Sequence, residues 1–210
     1  MSSFYERHGK RLLDLAAVVV AAPVATPLLA GIAAAVAATD GRPVLFRQAR
    51  VGKDGREFTI LKFRTMGVGT EHHGDGYWGA ANDDRITPIG KILRSTSLDE
   101  LPQLVNVLLG DTSLVGPRPK PRDIVDRYRS RYEETLRVRP GLTCLWALRG
   151  RNELRRSQLI ELDQQYVRDV SLLGDLRILA ETVPVVLFRR GFFTEERSEG
   201  WMEDVEADAT

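Results

Sequence analysis

Apolar residues are spread very unevenly along this chain. Residues 12–38 are almost wholly apolar, and about 20 such residues suffice for a helix to cross a bilayer. Pro23 and Pro27 fall near the middle of the stretch, where each removes a backbone donor and clashes with the turn before it. Basic residues flank both ends: Arg7, Lys10 and Arg11 before, Arg42, Arg47 and Arg50 after. A spanning helix places its Lys/Arg excess on the cytoplasmic side only. A helix that enters, breaks at Pro23 and returns to the same face satisfies both flanks, so the pattern favours a re-entrant segment. A secretory signal would be shorter and carry a cleavage site, and a soluble core helix would rarely be apolar for so long.

Beyond this segment the periodicity changes. Residues 43–49 and 56–65 have strand character and are separated by Gly52-Lys53-Asp54-Gly55, which predicts a hairpin. Alternation puts Leu61 and Phe63 on one face and Lys62 and Arg64 on the other. Residues 67–84 lack periodicity and predict a loop. Thr87-Pro88 is a cap followed by a first-turn proline, opening a helix to about Arg94. Leu101, Leu104, Val105 and Leu108 predict a second helix from about Asp99, ended by Gly110. Alternating prolines hold 116–121 extended. A charged helix is expected over 123–137, a type II turn at Arg139-Pro140-Gly141 and an amphipathic helix over 157–170. A more apolar stretch, 172–193, suits either a membrane interface or a core. The fold class is therefore α+β: mostly helical with a small β-hairpin, an N-terminal proline-broken re-entrant membrane helix and interfacial amphipathic helices. Three regions are expected, a membrane segment over 1–40, a cytosolic catalytic domain over 41–194 and an acidic tail over 195–210.

Composition adds little to this picture. The chain has 210 residues and a formal net charge of +1, which argues for no particular polyanionic partner. Its single cysteine, Cys144, excludes an internal disulfide and a thiol-only metal cluster. The tryptophans do not interleave with basic residues, so nucleic acid is not an expected partner.

The chemistry concentrates between Arg85 and Pro119. Asp99 and Glu100 are adjacent carboxylates, with Arg94 before them and Arg118 after them between two prolines. Such a pair can supply a nucleophile and a metal ligand for a phosphate-bearing substrate. Taken alone, an adjacent acidic pair is more often first-turn acid that complements a helix dipole. Flanking prolines restrict Arg118, so its guanidinium loses less entropy in gripping a phosphate. Lys62 with Arg64, and Arg151 with Asn152, are further candidate anion contacts or simply solvated side chains. His72-His73 has no third ligand at metal spacing and reads as surface loop.

Taken in order, these segments resemble a known family. Lys62-Phe63-Arg64-Thr65-Met66, Arg94 to Leu104, Asn106-Val107-Leu108 with Gly110-Asp111, Val115 to Pro119, Arg139 to Thr143 and Gly150-Arg151-Asn152 are similar to the monotopic bacterial sugar transferases. The similarity extends from about Arg7 to Phe188. It implies that Asp99 attacks the sugar-linked phosphate of a nucleoside diphosphate sugar, that Glu100 binds Mg²⁺, and that polyprenyl (undecaprenyl) phosphate then accepts the phosphosugar. Arg94 and Arg118 would contact phosphate, with Lys62, Arg139, Arg151 and Asp163 as further site residues. It also implies an inner-membrane location with the catalytic domain facing the cytosol, in contact with membrane lipid, and leaves room for a homodimer. Cys144, Leu145, Trp146, Ala147 and Arg149 depart from the usual pattern and bear on sugar or nucleotide preference. A catalytically silent scaffold and a transferase that moves only the sugar are the competing classes, and the leaving group separates them.

Overall fold

The computed structural model describes residues 4–70, 84–148 and 154–187, with only the backbone for Arg156 and 185–187. One long helix, α1 (Lys10–Thr39), follows a π-helical turn at Tyr5–Gly9. Among the described residues it is the one helix long and apolar enough to cross a membrane. The helical assignment runs unbroken through Pro23 and Pro27; each proline leaves the carbonyl four residues earlier without its amide partner. Val19, Val20, Val24 and Leu28 in the middle are exposed, whereas Lys10, Asp14 and Val18 near one end and Ile32 and Val36 near the other are buried. Both ends of this helix therefore lie against the rest of the chain.

The hairpin forms as expected. Strands β1 (Leu45–Val51) and β2 (Glu57–Phe63) pair antiparallel, with Leu45 opposite Phe63. Asp54 and Gly55 take positive φ in the connecting turn, as a tight hairpin requires. Helix α2 (Pro88–Ser95) starts where the cap chemistry puts it: the Thr87 side chain accepts from the Gly90 amide at 3.0 Å. Gly90 is needed for a different reason, since a Cβ there would lie 2.2 Å from the Thr65 carbonyl oxygen.

The next helix, α3 (Gln103–Leu109), begins four residues later than its periodicity suggests. Pro102 has no N–H to donate to an earlier carbonyl, so Leu98–Glu100 instead forms a separate 3-10 turn. That turn is entered through Ser97 at φ 55, a left-handed conformation uncommon outside glycine and mildly strained. Gly110, at φ 86, ends α3 as expected.

Two further departures concern 113–143. Strand β3 (Ser113–Val115) pairs in parallel with β4 (Gly141–Thr143). The expected type II turn at Arg139-Pro140-Gly141 is absent, because Gly141 enters β4 instead. Its role is close approach: a Cβ on Gly141 would sit 2.1 Å from the Gly116 amide nitrogen. The single charged helix expected over 123–137 is three short pieces, α4 (Arg122–Arg127), α5 (Arg129–Tyr132) and a 3-10 turn at Glu134–Arg137. Tyr128, at φ −121 and ψ 39, breaks the first from the second. Helices α6 (Arg156–Arg168) and α7 (Leu172–Leu187) close the described chain.

One apolar cluster joins Val18 of α1 to Val107, Leu114, Val115, Val138, Tyr166 and Ile178. Another joins Ile32 and Val36, from the other end of α1, to Phe63 and Leu93. Leu172, Leu173, Leu176 and Val183 on α7, and Val105, Leu108 and Leu109 on α3, remain exposed. Among the described residues the fold is thus mostly helical with two small sheets.

Candidate active site

Three elements converge on the carboxylate pair. The 3-10 turn carries Asp99 and Glu100, β2 carries Lys62, and the proline arm after β3 carries Arg118. Lys62 donates to Glu100 Oε1 at 2.8 Å. Arg118 donates to the same oxygen through Nη2, while its Nη1 lies 3.4 Å from Oε2. Burial alone would raise the Glu100 pKa, but Arg118 and Lys62 outweigh it and hold the carboxyl well below the usual carboxylate range.

Asp99 differs from its neighbour. It is 9% exposed, and among the described residues no side chain hydrogen-bonds to its carboxylate. Burial pushes its pKa up to about 6, with the Glu100 charge adding to the rise while Lys62, Arg94 and Arg118 oppose it. One carboxylate is thus fixed by two cations, and the other is more basic than an ordinary aspartate and uncommitted.

Supporting contacts keep these elements in register. Asn106 of α3 accepts from the Leu61 amide at 3.1 Å and donates to the Thr59 carbonyl at 2.8 Å. It thereby fixes β2, and hence Lys62, against the helix that follows the carboxylate pair. The motif drew attention to Asn106 but gave it no role; a buried amide three residues into a helix is visible in sequence only as a polar break in an apolar run. Arg94 donates from Nε to Thr65 Oγ1 at 2.8 Å and contributes positive charge at Asp99.

Asp163 lies behind the arm. It is 2% exposed on α6. Burial raises its pKa to about 7 against the opposing effects of Lys120, the Trp146 indole, the Arg118 backbone amide and the Arg118 charge. Trp146 Nε1 and Asp163 Oδ1 are both buried without a conventional hydrogen bond, near enough for the indole dipole to favour the carboxylate. Lys120 Nζ lies 5.6 Å from the Trp146 ring centroid. Asp163 thus faces the backbone and core side of the arm that presents Arg118. Cys144, in the same region, is buried, and desolvation followed by the Asp163 charge pushes its thiol up to about 12.

Two other candidates are engaged elsewhere. Arg64 is 2% exposed and donates through Nη2 to the carbonyls of Asp40 and Gly41, just past the end of α1. Its alternation with Lys62 is real, but it ties β2 to the apolar helix. Arg139 donates from Nε to the Gly110 carbonyl at 2.8 Å, closing the end of α3. Arg151, Asn152, His72 and His73 lie outside the described residues, as do the acidic tail and most of the loop expected at 67–84.

A metal would find a limited donor set. Among the described residues no group of three or more His, Cys, Asp or Glu side chains could hold an ion. Mg²⁺ characteristically takes one or two carboxylates and completes its shell with waters and substrate phosphate. Glu100 Oε2, whose described contact is long at 3.4 Å, together with Asp99 fits that mode.

The model of the bacterial sugar transferase family matches residues 5–189. The exopolysaccharide production protein ExoY of Rhizobium meliloti is 40% identical over 199 residues, covering 88% of each chain. A UDP-glucose:undecaprenyl-phosphate glucose-1-phosphate transferase of Caulobacter vibrioides is 44% identical over 187 residues, 85% of this chain and 69% of that one. An undecaprenyl-phosphate galactose phosphotransferase of Salmonella typhimurium is 36% identical, matching 89% of this chain but 42% of its own length. On a match that takes in the apolar helix, the hairpin and the carboxylate pair alike, the chain belongs to the bacterial sugar transferase family.

Proposed function

We propose that this protein transfers a sugar 1-phosphate from a nucleoside diphosphate sugar, a UDP-sugar by the name of the Caulobacter relative, to polyprenyl phosphate, and so begins assembly of a bacterial glycan or exopolysaccharide. The observation that carries the reading is the split between the adjacent carboxylates. Glu100 is locked by Lys62 and Arg118, whereas Asp99 is buried, more basic and free to attack.

In the first step an Asp99 carboxylate oxygen attacks the sugar-linked phosphorus. The bond to the bridging oxygen breaks, and nucleoside monophosphate leaves with those electrons. An aspartyl phosphosugar remains. A phosphate oxygen of the polyprenyl carrier then attacks the same phosphorus and displaces the Asp99 carboxylate, giving a polyprenyl diphosphate sugar. Splitting the transfer keeps the two mutually repelling phosphates from having to meet at once. Arg118 and Lys62 supply positive charge where the phosphates must sit, and Arg94 adds to it. Glu100, with Asp99, would hold Mg²⁺, which when bound screens phosphate charge.

The same reading covers membrane placement. A straight α1 would be about 45 Å long, yet its first turns bond α3 and its end is held by Arg64, one residue beyond β2. Asn106 joins those two elements to each other. Grip at both ends by one domain supports a helix that dips into one leaflet and bends at Pro23 rather than crossing. Exposed Leu172, Leu173 and Leu176 on α7 and Leu108 and Leu109 on α3 suit the interface of the inner membrane's cytosolic leaflet, where a lipid phosphate resides.

The leaving group tests the reading. Purified protein in nanodiscs, given Mg²⁺, undecaprenyl phosphate and a panel of UDP-sugars, is expected to release UMP. Release of UDP would mean transfer of the sugar alone, and no release from any donor would favour a scaffold.

A further inference from the structure

The Glu100–Arg118 contact joins two chain segments, and both segments are held by the first turns of α1. Glu100 precedes α3, whose C-terminal carbonyls need partners. Arg11 supplies them, with Nη1 on the Val107 oxygen at 2.5 Å and Nη2 on the Leu108 oxygen at 2.7 Å. Arg118 follows β3, and β3 is gripped twice. Asp14 Oδ1 accepts from the Leu114 amide and from Ser113 Oγ, both at 2.9 Å. Lys10 Nζ donates to the Val115 carbonyl and to Asp175 Oδ2, both at 2.7 Å. Val115 is three residues from Arg118, and the Tyr166 hydroxyl lies 3.1 Å from its carbonyl and 2.8 Å from Asp175 Oδ1.

These polar groups are costly ones to bury. Lys10 is 7% exposed and Asp14 1%, on a helix whose other residues are mostly apolar. Apolar side chains would seat the helix without the desolvation penalty of buried ions. What apolar contacts cannot do is fix how far the helix slides or turns against its partners. Bonds from Lys10 and Asp14, one turn apart, and from Arg11 beside them fix both. We infer that Lys10, Arg11 and Asp14 are positioning residues: the start of the membrane helix is a polar clamp that aligns the Arg118 arm with the Glu100 turn, so that phosphosugar transfer depends on how α1 is seated. The inference rests on the function proposed above for the Asp99–Glu100 site.

The full chain in nanodiscs tests it through Arg11→Gln, Arg11→Lys and Asp14→Leu, the last removing the oxygen that accepts from Ser113 and Leu114. Arg11→Gln and Asp14→Leu are expected to lower kcat per folded molecule by about 10- to 100-fold, the usual scale for a small misalignment, with KM for the UDP-sugar changed less than about threefold. Arg11→Lys is expected to recover part of the loss, since it keeps the charge but not the fork that spans two carbonyls. Hydrogen exchange is expected to quicken selectively over 98–109 and 113–118 while the hairpin over 45–63 keeps its protection. Unchanged kcat per folded molecule, or exchange rising equally in all three segments, would show a merely structural role and overturn the clamp. A wild-type protein that releases no UMP would instead refute the phosphosugar reading, and the exchange pattern alone would still decide the clamp.

Discussion

Two buried carboxylate clusters in this molecule use similar residues to opposite ends. Under the start of α1, Asp175 accepts from Tyr5 at 2.6 Å, Lys10 at 2.7 Å and Tyr166 at 2.8 Å. Every described donor around it is spent, and the Tyr166 hydroxyl is driven far above its ordinary range by burial and then by the Asp175 charge. At the Asp99–Glu100 turn Glu100 is held by two cations, both through Oε1. Asp99 has cations nearby but, among the described residues, no side-chain hydrogen bond. A carboxylate with fixed donors on both oxygens holds elements together, whereas one without them in a desolvated, positively charged setting can do chemistry.

The largest effect expected from breaking this contrast is at Asp99. Asp99→Asn should reduce UMP release by at least about 10⁴-fold, or roughly 5.5 kcal/mol of barrier, and intact-mass analysis should find no phosphosugar adduct. Activity within tenfold of wild type would remove Asp99 as the nucleophile. In the structural cluster, Asp175→Asn leaves Lys10 buried without its counterion and should cost about 3–5 kcal/mol of stability, read as a lower unfolding midpoint in denaturant. Arg118→Lys keeps a charge but loses the two-pronged contact with Glu100, and should lower kcat about 10²-fold, near 2.7 kcal/mol. Equal activity would mean that charge alone suffices.

The smallest effect is also the most diagnostic. Burial raises the folded-state pKa of Asp99 to about 6 from its ordinary 3.8, so between those values the folded protein binds more protons than the unfolded one. Its contribution to stability is therefore fully present below about 3.8 and is lost as pH rises through about 6. Asp99→Asn does not titrate, so it should be more stable than wild type at pH 7 by about 1–3 kcal/mol, with the gap closing toward pH 4. An inactive variant that is also the more stable one would mark Asp99 as a group kept for chemistry. A gap that stays constant across that range would refute the raised pKa.

The sequence made part of this arrangement legible, and the reasons differ by element. Thr87-Pro88 and Gly52–Gly55 announce α2 and the hairpin because caps and turns depend on a few adjacent residues. Asp99, Glu100 and Arg118 could be picked out because the motif around them is dense and ordered, and the structure brings them together with Lys62. The β3–β4 pair escaped notice: three-residue strands are too short to show alternation, and parallel pairing joins segments some 28 positions apart. The start of α3 was misplaced because apolar spacing runs continuously through Pro102, while the backbone donor that Pro102 lacks decides where the ladder begins. Arg64 is a candidate anion contact or a solvated side chain by alternation, and Arg139 a site residue by resemblance; the carbonyls at helix ends that each one meets are invisible in one dimension.

Cys144 has a practical consequence beyond the site. As the only cysteine of the chain, buried and with its thiolate suppressed until about pH 12, it is inert toward ordinary thiol reagents. A cysteine introduced at an exposed position near either end of α1 would then be the sole reactive thiol. Sidedness labelling in sealed vesicles can thus be carried out on each end in turn, with no native residue removed to clear the background.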